Sequence, residues 1–429
     1  MAIRIGLIRP GNKGKGYQGL ANVKALEPPH WMLCRATQLR QEYGHRVAVV
    51  DMAYQGRQDI PDCDSYELWP TGNHPSAYLQ EQEEVSDLLY ALGGRGVVIM
   101  DKLPEGLAEF SPAWDLVDLS KYRTHNWHTW GQPSNTPYGT VHTSINCPFG
   151  CSFCAVREYY GQKYWERSMV DVLFDLRELQ GLGVRNIKIM DEIFCLKEGR
   201  VWELCTDIVN KGNCGFNFWT YGRVDTLTKF HDSTLSMMKL AGINWIGLGI
   251  ESGNEGIRHL NGKNGFTNTQ VVDLIHRLQG HGISVVGNFI FGFPQDTKDT
   301  LRETFKFAYD LRCEYTNFYC MVAYPDTPLE SYAKAHGWYT PQSPLEYAQY
   351  DPTFHPLQTH ALTSMQVLAT RDWAYQAVHN TARYREMIEK KFGESAVVDV
   401  EKTCTVPLHR NVFNGTWEDY YTMRGTNGA

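Results

Sequence analysis

The sequence predicts an α/β protein, a partial (β/α)6 barrel preceded by a small doubly wound α/β unit. Three observations predict it. From residue 138 to about 321, strand-like and helix-like stretches alternate six times, without the seventh and eighth repeats of a closed eightfold barrel. Residues 1–105 alternate in the same way on a smaller scale, the pattern of a doubly wound sheet. A loop carrying three cysteines follows the first barrel strand, at the carboxyl end where parallel barrels hold their chemistry. The chain divides into a first unit at 1–105, a connector at 106–137, the barrel at 138–327 and a C-terminal region at 328–429.

With 429 residues and 42% apolar side chains, the chain can form two or three domains with real cores. A formal net charge of −7 supplies no basic field for nucleic acid or an anionic membrane. Eleven cysteines is an odd number, and outside the loop they are scattered singly, so no disulfide framework is expected. The opening Ile3–Ile8 reads as a strand, not a signal peptide, and no apolar run reaches the ~18 residues that span a bilayer. A cytoplasmic, reducing location is expected.

In order, Ile3–Ile8 is a buried-type strand and Trp31–Tyr43 a helix ending at Gly44. Arg46–Asp51 and Tyr66–Thr71 are further strands, Ala77–Leu92 an amphipathic helix and Gly96–Met100 another strand. The loop Gly11–Gly19 lacks both the G-x-G-x-x-G fingerprint and the G-K-[ST] ending of a P-loop, so a flexible loop is expected. The connector is rich in Pro, Trp and His. Its His125 and His128 have no cysteine partner nearby, so aromatic packing and local hydrogen bonding are expected, with an active-site role left open.

The barrel strands are read at Tyr138–Ser144, Asn186–Met190, Phe216–Tyr221, Trp245–Ile250, Val285–Phe291 and Tyr315–Met321. Amphipathic helices separate them at Met169–Leu182, Arg200–Asn210, Phe230–Ala241, Asn268–Gly280 and Lys298–Arg312. In the C-terminal region Ser364–His379 reads as a helix.

The cysteine loop, Cys147-Pro148-Phe149-Gly150-Cys151-Ser152-Phe153-Cys154, has C-x3-C-x2-C spacing. Three soft thiolates on one short loop can hold three irons of a cubane and leave the fourth open to a ligand. The alternative is a zinc site with a distant fourth ligand, or core thiols, in a non-enzymatic metal-binding or scaffold protein. Zinc modules favour C-x2-C pairs.

Here the sequence resembles the radical SAM superfamily, whose signature is this spacing with an aromatic residue, Phe153, before the third cysteine. The resemblance implies a partial TIM-type barrel, one [4Fe–4S] cluster on Cys147, Cys151 and Cys154, and S-adenosylmethionine (SAM) as cosubstrate. It implies that the SAM amino group is met at Asp191 or Glu192, and that Arg223 grips the carboxylate unless it pairs with Asp225 or Glu251. Glu251 and Ser252 fall where ribose is bound, Asn288 within reach of ribose or carboxylate, and Gly287–Pro294 where adenine stacks. Phe153 joins the cofactor contacts. Tyr319, Tyr324 and Asp326 are candidate substrate contacts and catalytic residues. Cys320 fits a hydrogen-atom donor or second-cluster ligand, against the commoner role of a small core hydrophobe. The tail beyond residue 328 has only Cys404, so a single cluster is expected.

The run from Pro28-Pro29 through a helix to Tyr43-Gly44-His45-Arg46-Val47-Ala48-Val49-Val50-Asp51 is similar to the opening of the cobalamin-binding domain in one branch of the superfamily. Asn73–Ala77 falls where those domains approach the corrin. There is no D-x-H-x-x-G motif, and the unit is about one strand–helix repeat shorter than the five-stranded form. The resemblance implies reductive cleavage of SAM to a 5′-deoxyadenosyl radical and hydrogen abstraction from an unactivated carbon. The short first unit favours a cobalamin-independent outcome, dehydration or epimerisation; cobalamin-dependent C-methylation is the alternative. The Tyr, Trp, Asp and His content of the tail points to a polar, carbohydrate-like small molecule. A flavodoxin or ferredoxin is the expected electron donor. A tRNA-modifying relative would carry an RNA-binding module and a basic surface, and neither is visible.

Overall fold

A computed structural model of the chain describes residues 2–11, 17–70, 81–93, 96–100, 102–104, 106–161, 163–212 and 215–413. Near the N-terminus four strands, β1 (Arg4–Arg9), β2 (Arg46–Asp51), β3 (Ser65–Leu68) and β4 (Val97–Ile99), form a parallel sheet in the order β2-β1-β3-β4. Successive side chains of β1 point to opposite faces. Ile5 and Leu7 pack under the helix His30–Gln41 with Trp31 and Leu39, while Ile8 joins Val50, Leu68 and Leu88 on the other face. That two-sided burial makes the unit doubly wound. Of the helix expected at Ala77–Leu92, Val85–Ala91 forms after a 3-10 turn at Gln82–Glu84. Residues 77–80, the Asn73–Ala77 stretch and most of the Gly11–Gly19 loop lie outside the described residues.

Six parallel strands make the barrel: β5 (Tyr138–Val141), β8 (Asn186–Ile189), β9 (Asn217–Arg223), β10 (Ile243–Glu251), β11 (Ser284–Phe291) and β12 (Tyr315–Cys320). Their order in the sheet is β12-β11-β10-β9-β8-β5. A short antiparallel pair, β6 (Ser144–Ile145) with β7 (Trp165–Glu166), braces the start of the cysteine loop. Helices Met169–Gly181, Glu198–Asn210, Asp232–Leu240, Asn268–Gly280 and Lys298–Leu311 cover the outside, within two residues of the expected ends. Thr267 and Thr297 start the last two with reciprocal capping boxes, which satisfy amides the first helical turn leaves unpaired.

The connector closes the amino-terminal end of the barrel. Trp127 meets Trp219 at 5.3 Å and Trp245 at 5.1 Å, and Trp130 packs on Tyr315. His125 stacks on Trp127 at 5.3 Å, and His128 Nδ1 lies 2.8 Å from Thr124 Oγ1, the local packing expected of both.

β12 is an edge strand, and its outer backbone groups need partners. Gln349 and Arg371 supply them. Cys320 N donates to Gln349 Oε1 at 2.7 Å, and Phe318 O accepts from Gln349 Nε2 at 3.1 Å and Arg371 Nε at 2.9 Å. The helix Ser364–His379 carries Arg371. Behind it, Ala382–Phe392 and Glu394–Cys404 form two further helices that the sequence reading did not anticipate. Among the described residues no helix is long and apolar enough to cross a membrane.

Candidate active site

A cavity of about 1110 Å³ opens at the carboxyl ends of the barrel strands. Strand alternation decides which side chains reach it. Lys188 of β8, Trp219, Tyr221 and Arg223 of β9, and Gly247, Gly249 and Glu251 of β10 line it. So do Val286, Asn288 and Ile290 of β11 and Tyr315, Asn317 and Tyr319 of β12. The wall continues onto the N-terminal unit through Arg9, Gly11, Ala53 and Glu81, and onto the C-terminal helices through Arg371 and Tyr375.

Cys147, Cys151 and Cys154 are half-buried at one side of this mouth, with Phe153 and Cys154 forming cavity wall. Asn146 sets the loop. It is fully buried with φ +71, donates its side-chain amide to Gly161 O and Lys163 O, and accepts from Cys147 N at 2.7 Å. A left-handed backbone outside glycine is strained and is held by its surroundings. Cys151 Sγ lies 3.5 Å from Arg223 Nη1 and 3.6 Å from Gly262 O. Burial pushes the Cys147 and Cys154 thiols up, while Arg223 and Lys263 pull Cys147 back down. Among the described residues no three His, Cys, Asp or Glu side chains converge as ligands of one metal ion. A cubane does not require that convergence, because each cysteine binds a different iron. Three thiols beside two cations, at the mouth of a chamber open to a fourth ligand, fit such a cluster.

The expected pair at the end of β8 splits. Asp191 is fully buried and turned from the cavity, accepting Thr143 N at 2.6 Å, Thr143 Oγ1 at 2.5 Å and Ser144 Oγ at 2.6 Å. Its carboxylate fastens the segment that launches the cysteine loop, which corrects its expected contact with SAM. Glu192 lines the cavity instead, and burial pushes its carboxyl up to about 7, against the pull of Lys188.

Arg223 takes the structural partner that the sequence left open. Nε and Nη2 hold Asp225 at 2.9 and 3.0 Å, and the guanidinium lies 3.7 Å over the Phe149 ring. Only the Nη1 edge faces Cys151, so the expected bidentate grip on a carboxylate is already used on Asp225. At the end of β10 the register against β11 shifts between Gly249 and Glu251, and Glu251 has φ +68. Such a bulge re-aims a side chain. Glu251 Oε1 meets Lys263 Nζ at 2.9 Å, and a Cβ at Gly249 would stand 2.5 Å from Glu251 Oε1 and 2.7 Å from Lys263 Nζ. Gly249 therefore makes room for this ion pair. Ser252 is a further correction: it is fully buried, pairs with Thr304 Oγ1 at 3.0 Å and takes Asn254 N at 3.1 Å, so it shapes the turn away from the cavity. Asn288 reaches the cavity between Leu248 O and Asn317 Nδ2, and Phe153 packs edge-on against Phe293 at 5.4 Å.

Tyr319 and Tyr324 both line the cavity, Tyr324 stacked on Tyr347 at 5.7 Å. Asp326 does not. It is exposed in the turn after β12, where its amide meets Glu330 Oε2 at 3.1 Å, which corrects its expected substrate role. Cys320 is buried against Val367 O, a packed thiol at the cavity edge. Lys188, Lys263, Gly249 and the segment carrying Lys24 and Glu27 were missed. Strand parity pointed to Gly249 and to Lys188; no sequence signal pointed to Lys263, Lys24 or Glu27.

A six-strand partial barrel carries a three-cysteine loop at its mouth. Residues 141–308 match the radical SAM superfamily. That superfamily works with a [4Fe–4S] cluster and SAM. The chain is 30% identical over 242 residues to an uncharacterized methyltransferase of Pyrococcus horikoshii, covering 56% of this chain and 50% of that one. It is 29% identical over 211 residues to the bacteriochlorophyllide d C-12(1)-methyltransferase of Chlorobaculum tepidum, covering 45% and 44%. The chain thus spans about half the length of the curated relatives it matches. In fold it is similar to the radical SAM methyltransferase TsrM of Kitasatospora setae, solved with cobalamin and a [4Fe–4S] cluster (TM-score 0.61, 15% identity, 94% of this chain and 100% of that one). It is also similar to the cobalamin-dependent radical enzyme OxsB (TM-score 0.56, 15% identity, 93% and 72%).

Proposed function

We propose that this chain is a radical SAM C-methyltransferase that works with cobalamin on a small molecule. This reverses the order set by the short first unit, which favoured dehydration or epimerisation; the methyltransferase relatives support the change. The observation that carries it is the shared cavity. One chamber joins the cysteine loop to the carboxyl ends of β1 and β2, and its 1110 Å³ exceeds the ~300–1,000 Å³ of an ordinary small-molecule pocket. The switch point of the N-terminal sheet, where such sheets bind ligands, lies between β1 and β3, and Arg9 and Gly11 at the end of β1 line the same space. Arg9 and Glu81 line the wall there and suit the amide side chains of a corrin.

When bound, the cluster and SAM supply a carbon-centred radical, and cobalamin supplies the methyl group. Cys147, Cys151 and Cys154 hold the cluster; Arg223 keeps a donor on Cys151. Glu192 accepts the SAM ammonium and Glu251, held by Lys263, the ribose hydroxyls, with Phe153 and Asn288 closing that side. Asp191 keeps the loop in place. Tyr319 and Tyr324 face the substrate. A flavodoxin or ferredoxin is the proposed reductant.

The test is anaerobic reconstitution with iron, sulfide and hydroxocobalamin, followed by SAM and reductant. One corrinoid per chain with formation of S-adenosylhomocysteine is expected. Release of 5′-deoxyadenosine by a chain that retains no corrinoid would return the reading to dehydration or epimerisation.

A further inference from the structure

At the substrate end of the cavity several charged and amide side chains are spent on one another. Lys188 Nζ holds Glu27 Oε1 at 2.8 Å, Asn317 Nδ2 holds Asn288 Oδ1 at 3.0 Å, and the Tyr315 and Tyr375 hydroxyls meet at 3.1 Å. Gln349 is bonded at both ends to β12, and Asp372 lies between Arg371 and Arg410 at 2.7 to 3.0 Å. A polyhydroxylated ligand would find few charged or amide groups to bond there. Ring surface is what remains. Tyr221, Tyr319 and Tyr350 line the chamber; Tyr319 keeps 38% of its surface exposed although deeply set, because it opens onto the cavity.

One cation stands apart from this pairing. Lys24 lines the cavity, and among the described residues its Nζ meets no carboxylate at ion-pair distance, lying instead 3.2 Å from the Tyr17 ring centroid. Tyr17 in turn lies 6.1 Å from Tyr350, so the ammonium borders the aromatic wall.

We propose that the substrate is a planar aromatic or conjugated molecule bearing an anionic group, its ring against Tyr221, Tyr319 and Tyr350 and its anion at Lys24. This names the substrate class of the methyltransferase site and rests on that reading. It replaces the carbohydrate-like substrate expected from the composition of the tail. Aromatic faces favour offset or edge-on contact with a flat ring, and a half-buried ammonium favours an anion over water. Burial pushes the Lys24 ammonium down to about 7; of the charged groups facing it, Glu27 and Glu81 pull up while Arg9 and Lys188 push further down. An arriving anion therefore draws a proton onto Lys24.

Calorimetry on the full, cluster-reconstituted chain tests this with three probes: 2-naphthoate, 2-naphthylmethylamine and methyl β-glucoside. Naphthoate is expected to bind, the amine more weakly and the glucoside not at all. Lys24→Met is expected to weaken naphthoate about tenfold and Lys24→Arg to keep it. Glucoside binding as tight as naphthoate, no naphthoate binding to the unsubstituted chain, or a folded Lys24→Met with unchanged affinity would overturn the proposal. Binding is read without turnover, so the two readings fail separately. Naphthoate binding in a chain that transfers no methyl group supports this proposal and counts against the function. Methyl transfer to a polyol without naphthoate binding does the reverse.

Discussion

Two parallel sheets meet across one cavity, and they reach it by different rules. The barrel contributes through strand parity, so alternate residues of β8 to β12 face the chamber and their neighbours are spent on structure. The N-terminal sheet contributes only at its carboxyl edge, together with the segment around Lys24 and Glu27. Its outer strand β4 leaves Val98 54% exposed, whereas the barrel's outer strand β12 is sealed by Gln349 and Arg371. The barrel therefore supplies most of the chamber, and the N-terminal unit forms its second wall.

The largest effect expected on the barrel side is from Cys151→Ala. Iron bound after anaerobic reconstitution is expected to fall well below about four per chain, with SAM cleavage at background. Normal cleavage by that variant would remove the cysteine loop from the chemistry.

Asp191 and Glu192 sharpen the contrast between structural and chamber-facing parity. Asp191→Ala leaves the buried Thr143 and Ser144 donors unpaired and is expected to cost about 3 kcal/mol in denaturant unfolding, with cluster loading reduced. Glu192→Gln is expected to spare the fold and weaken SAM binding. Glu192 also sets a pH signature. Its folded value of about 7 lies above the ordinary 4.5, so the folded chain keeps that proton longer than the unfolded one. Its contribution is complete below about 4.5 and is lost as pH rises through 7, up to about 3 kcal/mol, and Glu192→Gln is expected to flatten that slope. A variant with the same slope would place the titration elsewhere.

Gly249→Ala is a smaller perturbation. Its Cβ would press on Glu251 and Lys263, so about tenfold weaker SAM binding with about 1–3 kcal/mol of destabilisation is expected, measured by equilibrium dialysis and melting. Asp326→Ala is the smallest, within about 0.5 kcal/mol and without effect on SAM cleavage, because the side chain lies in an exposed turn.

What was legible in the sequence follows the same division. The cysteine spacing, the six repeats and the ends of most helices are local properties, and the structure has them nearly as read. Asp191 was offered with Glu192 as an acceptor for the SAM ammonium, and Ser252 with Glu251 as a contact for ribose. Strand parity carried the correction, since Lys188 and Gly249 face inward and only residues an even number away share their face. Arg223 could not be settled locally, because both partners were in reach. The Lys188–Glu27 pair joins residues 161 positions apart, and Lys24 acquires its place only when segment 17–27 folds against Tyr350. No periodicity in the chain announces such contacts.

The most direct test of the shared chamber uses SAM with a deuterated methyl group, given anaerobically to the chain reconstituted with cluster and cobalamin in a mixture of cell metabolites. The account expects a product carrying the intact CD3 group, formed together with S-adenosylhomocysteine and 5′-deoxyadenosine. Formation of 5′-deoxyadenosine with no labelled product would contradict it.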